Sequence, residues 1–339
     1  MSTPGKRAYR ILDVAQRAGV SPATVSRVLS GKAAVTEETQ ARVLAAIQDL
    51  GFRPNHVAQA LRRGHGNTVA LLVGDIEQGV YASLTKHVQA ALEEVGLDLL
   101  LYNLGHSRQR LENILARTDA MRLSGLVIAA SDILDGETVD ALLDKAAQGL
   151  PVVAVGLWLQ DHCIPSVVYD DAEAIRRSVD YLIRSHGGPV AYVGRIAGSA
   201  SGTERYRGYL AALADHGLDV DPALVWDSAY RYKAGFESAA KALAAGLRFR
   251  AVQAGSDEVA LGAMSAIMQA GLRIPDEVAV AGIGDIEASA YLSPTLTTHG
   301  AAPDRVAAVL VELFSAARAG VPLPPLTTLV RPFIRRASA

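Results

Sequence analysis

From Ile11 the chain places apolar residues at helical spacing, and from Thr68 it alternates short β-branched runs with longer amphipathic stretches. In ILDVAQRA the residues Ile11, Val14, Ala15 and Ala18 share one stripe, and Gly19 permits the sharp turn that ends the helix. Ser21 supplies a cap oxygen and Pro22 a favoured first residue for a second short helix, PATVSRVL, which stops at Ser30-Gly31. Val25, Val28 and Leu29 then pack inward, leaving Pro22, Ala23, Ser26 and Arg27 on an outward face. Thr36 caps a third helix, Glu37 to Leu50, closed by Gly51. Beyond Pro54, VAQALR spans roughly two helical turns, too short to stand alone. It carries Arg62 and Arg63 and runs into Gly64, His65 and Gly66, so it reads as a linker that orders on a partner.

The second region gives the sequence TVALLV, YASLTKHVQAALEE, LDLLLY, RQRLENILARTDAM, GLVIAA, TVDALLDKAAQ, PVVAV and SVVY. The beat restarts with AEAIRRSVDYLIRS, PVAYVG, TERYRGYLAALADHG, a short run near Ala223 to Trp226, KAGFESAAKALAAG, FRAVQAG, DEVALGAMSAIMQAG and EVAVAGIG. Strand and helix alternating in this way predict parallel sheets covered on both faces, about nine strands in two series and hence two doubly wound subdomains. Ligands of such folds sit beyond the carboxyl ends of the strands. After GVPLPP, the segment LTTLVRPFIRRASA reads as one final strand and a basic tail, with no leucine heptads for a tetramerising coil.

Composition sharpens this picture. The 339 residues are half apolar and one fifth charged, a globular balance with room for a sizeable core. No apolar run approaches the ~18 residues of a membrane span, and MSTPGKRAYR has no signal-peptide pattern, so a cytoplasmic location without membrane is expected. The single cysteine, Cys163, excludes an internal disulfide and any CxxC site. Residues 1–66 hold ten Lys/Arg against four Asp/Glu, a net +6, which leaves −8 for the rest of a chain whose total is −2. A basic head on an acidic body is the footprint of a polyanion binder whose bulk does something else.

Catalytic motifs do not materialise. Gly282-Ile283-Gly284 resembles the start of a dinucleotide turn, but Glu287 stands where the last glycine belongs. There is no phosphate loop and no HExxH, the eight histidines form no ligand cluster, and Gly198 to Gly202 does not centre serine in a GxSxG elbow. No enzyme activity, metal or cofactor is expected. The outward face of the second helix, small and hydroxylic with one arginine, suits a major groove, where a guanidinium pairs with guanine in bidentate fashion. An ordinary three-helix domain on a sugar-binding or sugar-processing protein is the alternative reading of the same elements.

The run DVAQRAGVSPATVSRVLSG, the helix VTEETQARVLAAIQDLGF and the segment RPNHVAQALR together resemble the DNA-binding head of the lactose-repressor (LacI-type) family. Residues ~67–335 resemble the periplasmic-binding-protein-like core of the same regulators, most closely in AGSDEVALGAM and GLRIPDEVAVAGIGDIEASAYLSPTLTT. The resemblance implies a helix-turn-helix domain over 1–54, a hinge helix and linker over 55–66, and an effector-binding and dimerisation core over 67–339. The implied fold is an all-α helix-turn-helix head plus an α/β core of two doubly wound parallel-sheet subdomains. It places Pro22 and Ala23 at base-reading positions beside Arg27, makes Ser21, Thr24 and Ser26 phosphate or base contacts, and assigns Asn55, His56 and Ala58 to the hinge helix. Leu61 becomes an apolar wedge for a minor-groove base step. Arg10 departs from the family, which usually has a Thr-like cap there, so the first helix is expected to begin less crisply.

The positions matching the family's effector cleft are Asp75, Gln78, Tyr81, Gly156 to Trp158, Arg195, Arg205, Tyr230, Ser256, Gly284 and Asp285. The family often has Asp or Asn where this chain has Gly156, Ser256 and Gly284. With those acceptors missing and Arg195 and Arg205 nearby, the cleft is expected to favour an anionic ligand such as a sugar acid over a neutral sugar. The implied protein is a regulator, a repressor in most relatives, binding a pseudopalindromic double-stranded DNA operator as a homodimer under control of a sugar or sugar-acid effector.

Overall fold

A computed structural model describes residues 9–30, 35–52 and 66–339 of the chain. By internal contacts the chain divides into two compact units at Gly66/Asn67. In the first unit α1 (Ile11–Ala18), α2 (Pro22–Ser30) and α3 (Glu37–Leu50) surround a core of Val14, Ala15, Ala18, Val25, Val43, Ala46 and Phe52. The Ser21 hydroxyl accepts the Thr24 amide at 3.1 Å and the Thr36 hydroxyl accepts that of Thr39 at 3.4 Å, so α2 and α3 open on the residues their sequences nominate. Contrary to the expectation for Arg10, α1 begins cleanly: the Asp13 carboxylate reaches back and accepts the Arg10 amide at 2.6 Å. Gly19 and Gly51 end α1 and α3 in the left-handed conformation.

The second unit holds twelve strands among the described residues, not nine. Its larger sheet is parallel, in the order β11-β5-β4-β3-β1-β2, formed by β1 (Thr68–Val73), β2 (Asp98–Asn103), β3 (Gly125–Ala129), β4 (Val152–Val155), β5 (Ser166–Tyr169) and β11 (Leu326–Leu329). A second parallel sheet, β7-β6-β8-β9, comprises β6 (Val190–Gly194), β7 (Val225–Asp227), β8 (Ala251–Ala254) and β9 (Ala279–Ala281). The two-residue strands β10 (Thr298–His299) and β12 (Phe333–Ile334) pair antiparallel. In β1 the side chains of Val69, Leu71 and Val73 enter one core, with α4 (Gly79–Glu94), while Ala70 and Leu72 enter the other, with α5 (Arg108–Leu115) and α7 (Gly136–Ala147). Both faces are covered, which is why the strand reads as an unbroken apolar run.

Three expectations change. The helix predicted over RQRLENILARTDAM is two, α5 and α6 (Thr118–Met121), because the Thr118 hydroxyl takes the Leu115 carbonyl at 2.7 Å where the helix would continue. The two lobes are not consecutive in sequence. α13 (Pro303–Arg318) returns to the first lobe, where Val306, Leu310 and Phe314 join the core of β1 and α4, and β11 completes that sheet. The fit is close: a Cβ at Gly125 in β3 would lie 2.3 Å from the Phe314 ring. Finally, the expected basic tail is packed structure anchored by buried residues. Arg331 is 4% exposed, and the Ser338 hydroxyl, fully buried, donates to the Val280 carbonyl at 2.6 Å.

The chain therefore crosses between lobes three times: between β5 and α8 (Asp171–His186), between β10 and α13, and between β11 and β12. α9 (Ala200–Asp215), α10 (Tyr232–Ala244), α11 (Asp257–Gln269) and the short α12 (Ala288–Tyr291) complete the second lobe.

Candidate functional site

The first unit presents one candidate surface. Pro22, Ala23, Ser26 and Arg27 of α2 are exposed on the side away from buried Val25, and Thr24 is half-buried. Ser21 is exposed, but its hydroxyl is engaged as the cap and lies 2.9 Å from the Thr24 hydroxyl. Asn55, His56, Ala58 and Leu61 lie outside the described residues.

The second unit contains a cavity between its lobes, at the carboxyl ends of the strands. Of the positions nominated from sequence, Gln78, Tyr81, Arg205, Tyr230 and Ser256 meet on its wall, together with Gly156 and Gly284. Their groups are held in place. Ser256 caps α11 by accepting the Val259 amide at 3.3 Å, and the Tyr230 hydroxyl lies 3.2 Å from that of Ser199. Gln78 is 6% exposed, with its Nε2 3.2 Å from Nε2 of His106. Burial pushes the Tyr81 hydroxyl above the usual phenol range, against a lowering by the Ser131 hydroxyl, so at neutral pH this wall carries a neutral phenol.

Asp75, Trp158, Arg195 and Asp285 are not on that wall. Asp75 pairs with Arg231, Asp285 with Arg336 at 2.7 Å, and Trp158 is half-buried two residues past Gly156. Arg195 sits on the rim, donating to Asp132 at 2.7 Å and to the Gly198 carbonyl at 3.0 Å. Sequence reading missed Ser131, Tyr169, Ser201, Glu258 and Arg331, which do line the cavity. Tyr169 ends a legible strand and Glu258 follows Ser256 by two, so both were in reach. Arg331 was not, because its segment reads as a tail.

The charge on the wall is balanced. Arg205 and Arg331 face Glu258, and behind them the fully buried Asp171 lies 2.6 Å from Arg331 Nε and 3.4 Å from Arg205 Nη2. Burial would raise the Asp171 carboxyl, but the two guanidiniums hold it below the ordinary carboxylate range. Burial would lower the Arg205 value, and Asp171 together with Tyr230 and Tyr192 more than offsets it, so the ion pair stays charged. Around the rim Asp132, Asp135 and Asp227 stand with Arg108, Arg195 and Arg231, and Arg195 is paired with Asp132 and Arg231 with Asp75 and Glu77, so among the described residues the rim offers no unpaired guanidinium excess. The expected excess of positive charge is absent because Arg195 is spent on Asp132 and Arg205 is matched by Asp171.

The cleft is shut. Arg195 with Asp132 and Arg231 with Asp75 and Glu77 bridge the lobes at the rim. Inside, the Gly79 amide donates to Glu258 at 2.9 Å, and the Ala200 amide to the Ser131 carbonyl at 2.8 Å.

A helix-turn-helix unit joined to a two-lobed α/β unit with a closed interlobe cavity defines a ligand-responsive DNA-binding protein. The sequence profile of bacterial regulatory proteins of the lacI family matches residues 10–55, and that of periplasmic binding proteins and the sugar binding domain of the LacI family matches residues 66–302. The chain is 32% identical to the HTH-type transcriptional regulator AscG of Escherichia coli K12 over 85% of both chains. It is 30% identical to the regulator GalR of the same organism over 97% of this chain and 95% of that one. Its fold superposes on the Lac repressor dimer bound to operator and the anti-inducer ONPF with a TM-score of 0.84 at 24% identity, covering 98% and 99% of the chains. A complex of the regulator CelR with cellobiose gives 0.73 at 26%, covering 98% and 100%. The chain belongs to the LacI family of bacterial regulatory proteins. It is a DNA-binding transcriptional regulator with the family's sugar-binding domain.

Proposed function

We infer that this regulator is a repressor that grips a pseudopalindromic operator through the outward face of α2, and that an uncharged sugar in the interlobe cavity sets how firmly. The observation that carries the effector class is the charge balance: Arg205 and Arg331 are matched by Asp171 and Glu258, and the rim guanidiniums Arg195 and Arg231 are paired with Asp132 and with Asp75 and Glu77. An anion approaching that rim meets guanidiniums already paired with carboxylates, whereas a polyhydroxylated ring meets phenols and hydroxyls. Tyr81, Tyr169 and Tyr230 offer ring faces, and Ser131, Ser201 and Gln78 offer polar contacts. Arg205 Nε, buried and without a partner, supplies one donor, the number a ring hydroxyl uses and half of what a carboxylate takes bidentate.

A second reading rests on the same atom: a sugar acid placing one carboxylate oxygen on Arg205 Nε. Calorimetry of the full chain against neutral hexoses and disaccharides, and against the matching aldonates and uronates, separates the two. Binding confined to neutral sugars supports the first, binding confined to acids the second, and binding of neither class removes both.

On the DNA side, Pro22 and Ala23 serve base reading beside Arg27, while Ser21, Thr24 and Ser26 serve phosphates or base edges. Asn55, His56, Ala58 and Leu61 serve the hinge. The proposed boundaries are 1–54 for the head, 55–66 for the hinge and 67–339 for the core. One α2 helix reads only a few base pairs, so a homodimer presents two heads to the two half-sites. An effector that changes the lobes' relative rotation changes how paired hinges fold on DNA. Coupling of ~1–3 kcal/mol alters occupancy about five- to 150-fold. The protein works in the cytoplasm, where its operator is, and catalyses no reaction.

A further inference from the structure

We propose that Asp171 is a positioning residue: it ties the ligand-facing guanidinium of Arg205 to the three interlobe crossovers and so holds the lobes closed. This goes beyond the sugar reading, resting on it only for the identity of what touches Arg205.

Asp171 begins α8 on the first crossover and is fully buried. One of its oxygens accepts Arg331 Nε at 2.6 Å, and the other lies 3.4 Å from Arg205 Nη2 with no hydrogen-bond partner. Arg331, on the third crossover, donates from Nη1 to the Gly300 carbonyl on the second, at 3.1 Å. Its guanidinium carbon stands 3.7 Å from the centre of the Tyr169 ring at the end of β5. The Arg331 amide donates to Asp170 at 2.7 Å, and its carbonyl accepts Arg177 at 3.0 Å. One guanidinium thus binds all three connecting segments, and Asp171 joins it to Arg205 on the cavity wall.

The two halves of the link are unequal. The contact with Arg331 is a short charge-assisted hydrogen bond, and the one with Arg205 is a longer ion pair with an unfilled acceptor. Arg205 is otherwise held by one hydrogen bond, from Nη1 to the Gly255 carbonyl at 2.7 Å in the second lobe. A ligand that draws Arg205 changes its pull on Asp171, and among the described residues Asp171 has no other charged partner than the crossover arginine. A buried carboxylate is costly to keep, and here its cost is offset by one arginine of the cavity wall and one of the segments that must bend.

The test needs no ligand. In the full chain carrying Cys163→Ser, spin labels at Glu137→Cys in the first lobe and Lys233→Cys in the second, both highly exposed, report the interlobe distance by pulsed electron resonance. Asp171→Asn, Arg331→Lys and Arg205→Met are each expected to lengthen or broaden the distribution by more than ~2 Å while circular dichroism remains that of the parent. A merely structural role lowers the melting temperature and leaves the distance in the folded protein where it was. An unchanged distribution in folded Asp171→Asn overturns the proposal. Should that variant not fold, an unchanged distribution in Arg331→Lys overturns it equally. Because no sugar is present, failure here is distinct from failure of the effector reading.

Discussion

Replacing Arg205 by methionine keeps the apolar stem and removes the guanidinium from a position whose side chain is 12% exposed. The folded protein loses the 2.7 Å hydrogen bond to the Gly255 carbonyl and the 3.4 Å pairing with Asp171. Asp171 is not orphaned, since Arg331 Nε stays 2.6 Å away, so the 3–5 kcal/mol cost of a buried unpaired charge does not apply in full. The remaining cost is one charge-assisted bond and one unmet carbonyl, about 2 kcal/mol, or ~4–8 °C in the core's melting temperature. Effector binding loses more. A hydrogen bond to a charged donor contributes ~1.5–3 kcal/mol, which weakens affinity roughly ten- to 150-fold. Calorimetry on the full chain measures the second quantity and differential scanning the first. A fall in melting temperature with sugar affinity kept within threefold would refute the reasoning, because it would make Arg205 a scaffold residue and leave its free Nε without a task.

Other outcomes follow from the same geometry. Arg27→Ala should weaken specific operator binding by ~1–3 kcal/mol if the guanidinium reads a guanine, and an unchanged ratio of specific to nonspecific affinity contradicts that role. Burial pushes the Asp257 carboxyl up to about 6, so between about pH 4 and 6 the folded chain holds a proton the unfolded one releases, and this group stabilises as pH falls. Burial brings His299 down to about 3, so its contribution is full above its ordinary value near 6.5 and lost on acidification. Asp257→Asn should therefore make the melting temperature fall more steeply from pH 7 to 5, and His299→Gln less steeply; parallel profiles would contradict both assignments. In Gly262→Ala the new methyl would lie 2.0 Å from the Tyr232 carbonyl between α10 and α11. A loss of ~1–3 kcal/mol is expected by chemical denaturation, and a neutral effect would show that the helices separate freely.

Much of this was legible from local pattern. Ser21, Thr36, Gly19 and Gly51 each punctuate a helix through their own side chain or backbone freedom, so α1 to α3 were readable residue by residue. The first nine of the ten strands in the two parallel sheets follow from their apolar runs for the same reason. What escaped was long-range. Nothing local marks Pro303–Arg318 and Leu326–Leu329 as belonging to a lobe left more than a hundred residues earlier. Arg331 and Arg336 read as solvated charge because their partners, Asp171 and Asp285, are 160 and 51 positions away. The cavity shows the same limit. Strand-end residues such as Gln78, Tyr81 and Ser256 were findable, whereas the neutrality of the wall depends on Asp171 standing behind Arg205, a relation no sequence spacing encodes.

The central claim, that a DNA-gripping head answers to a sugar-filled cleft, is tested most directly by fluorescence anisotropy of the full chain on a symmetric duplex selected from random sequence, titrated with and without the tightest-binding sugar. The account predicts a clear preference for that duplex over a scrambled one and a shift in its affinity of about five-fold or more on adding sugar, reduced in Arg205→Met. Equal affinity for selected and scrambled duplexes, or an operator affinity that saturating sugar leaves unmoved, would contradict it.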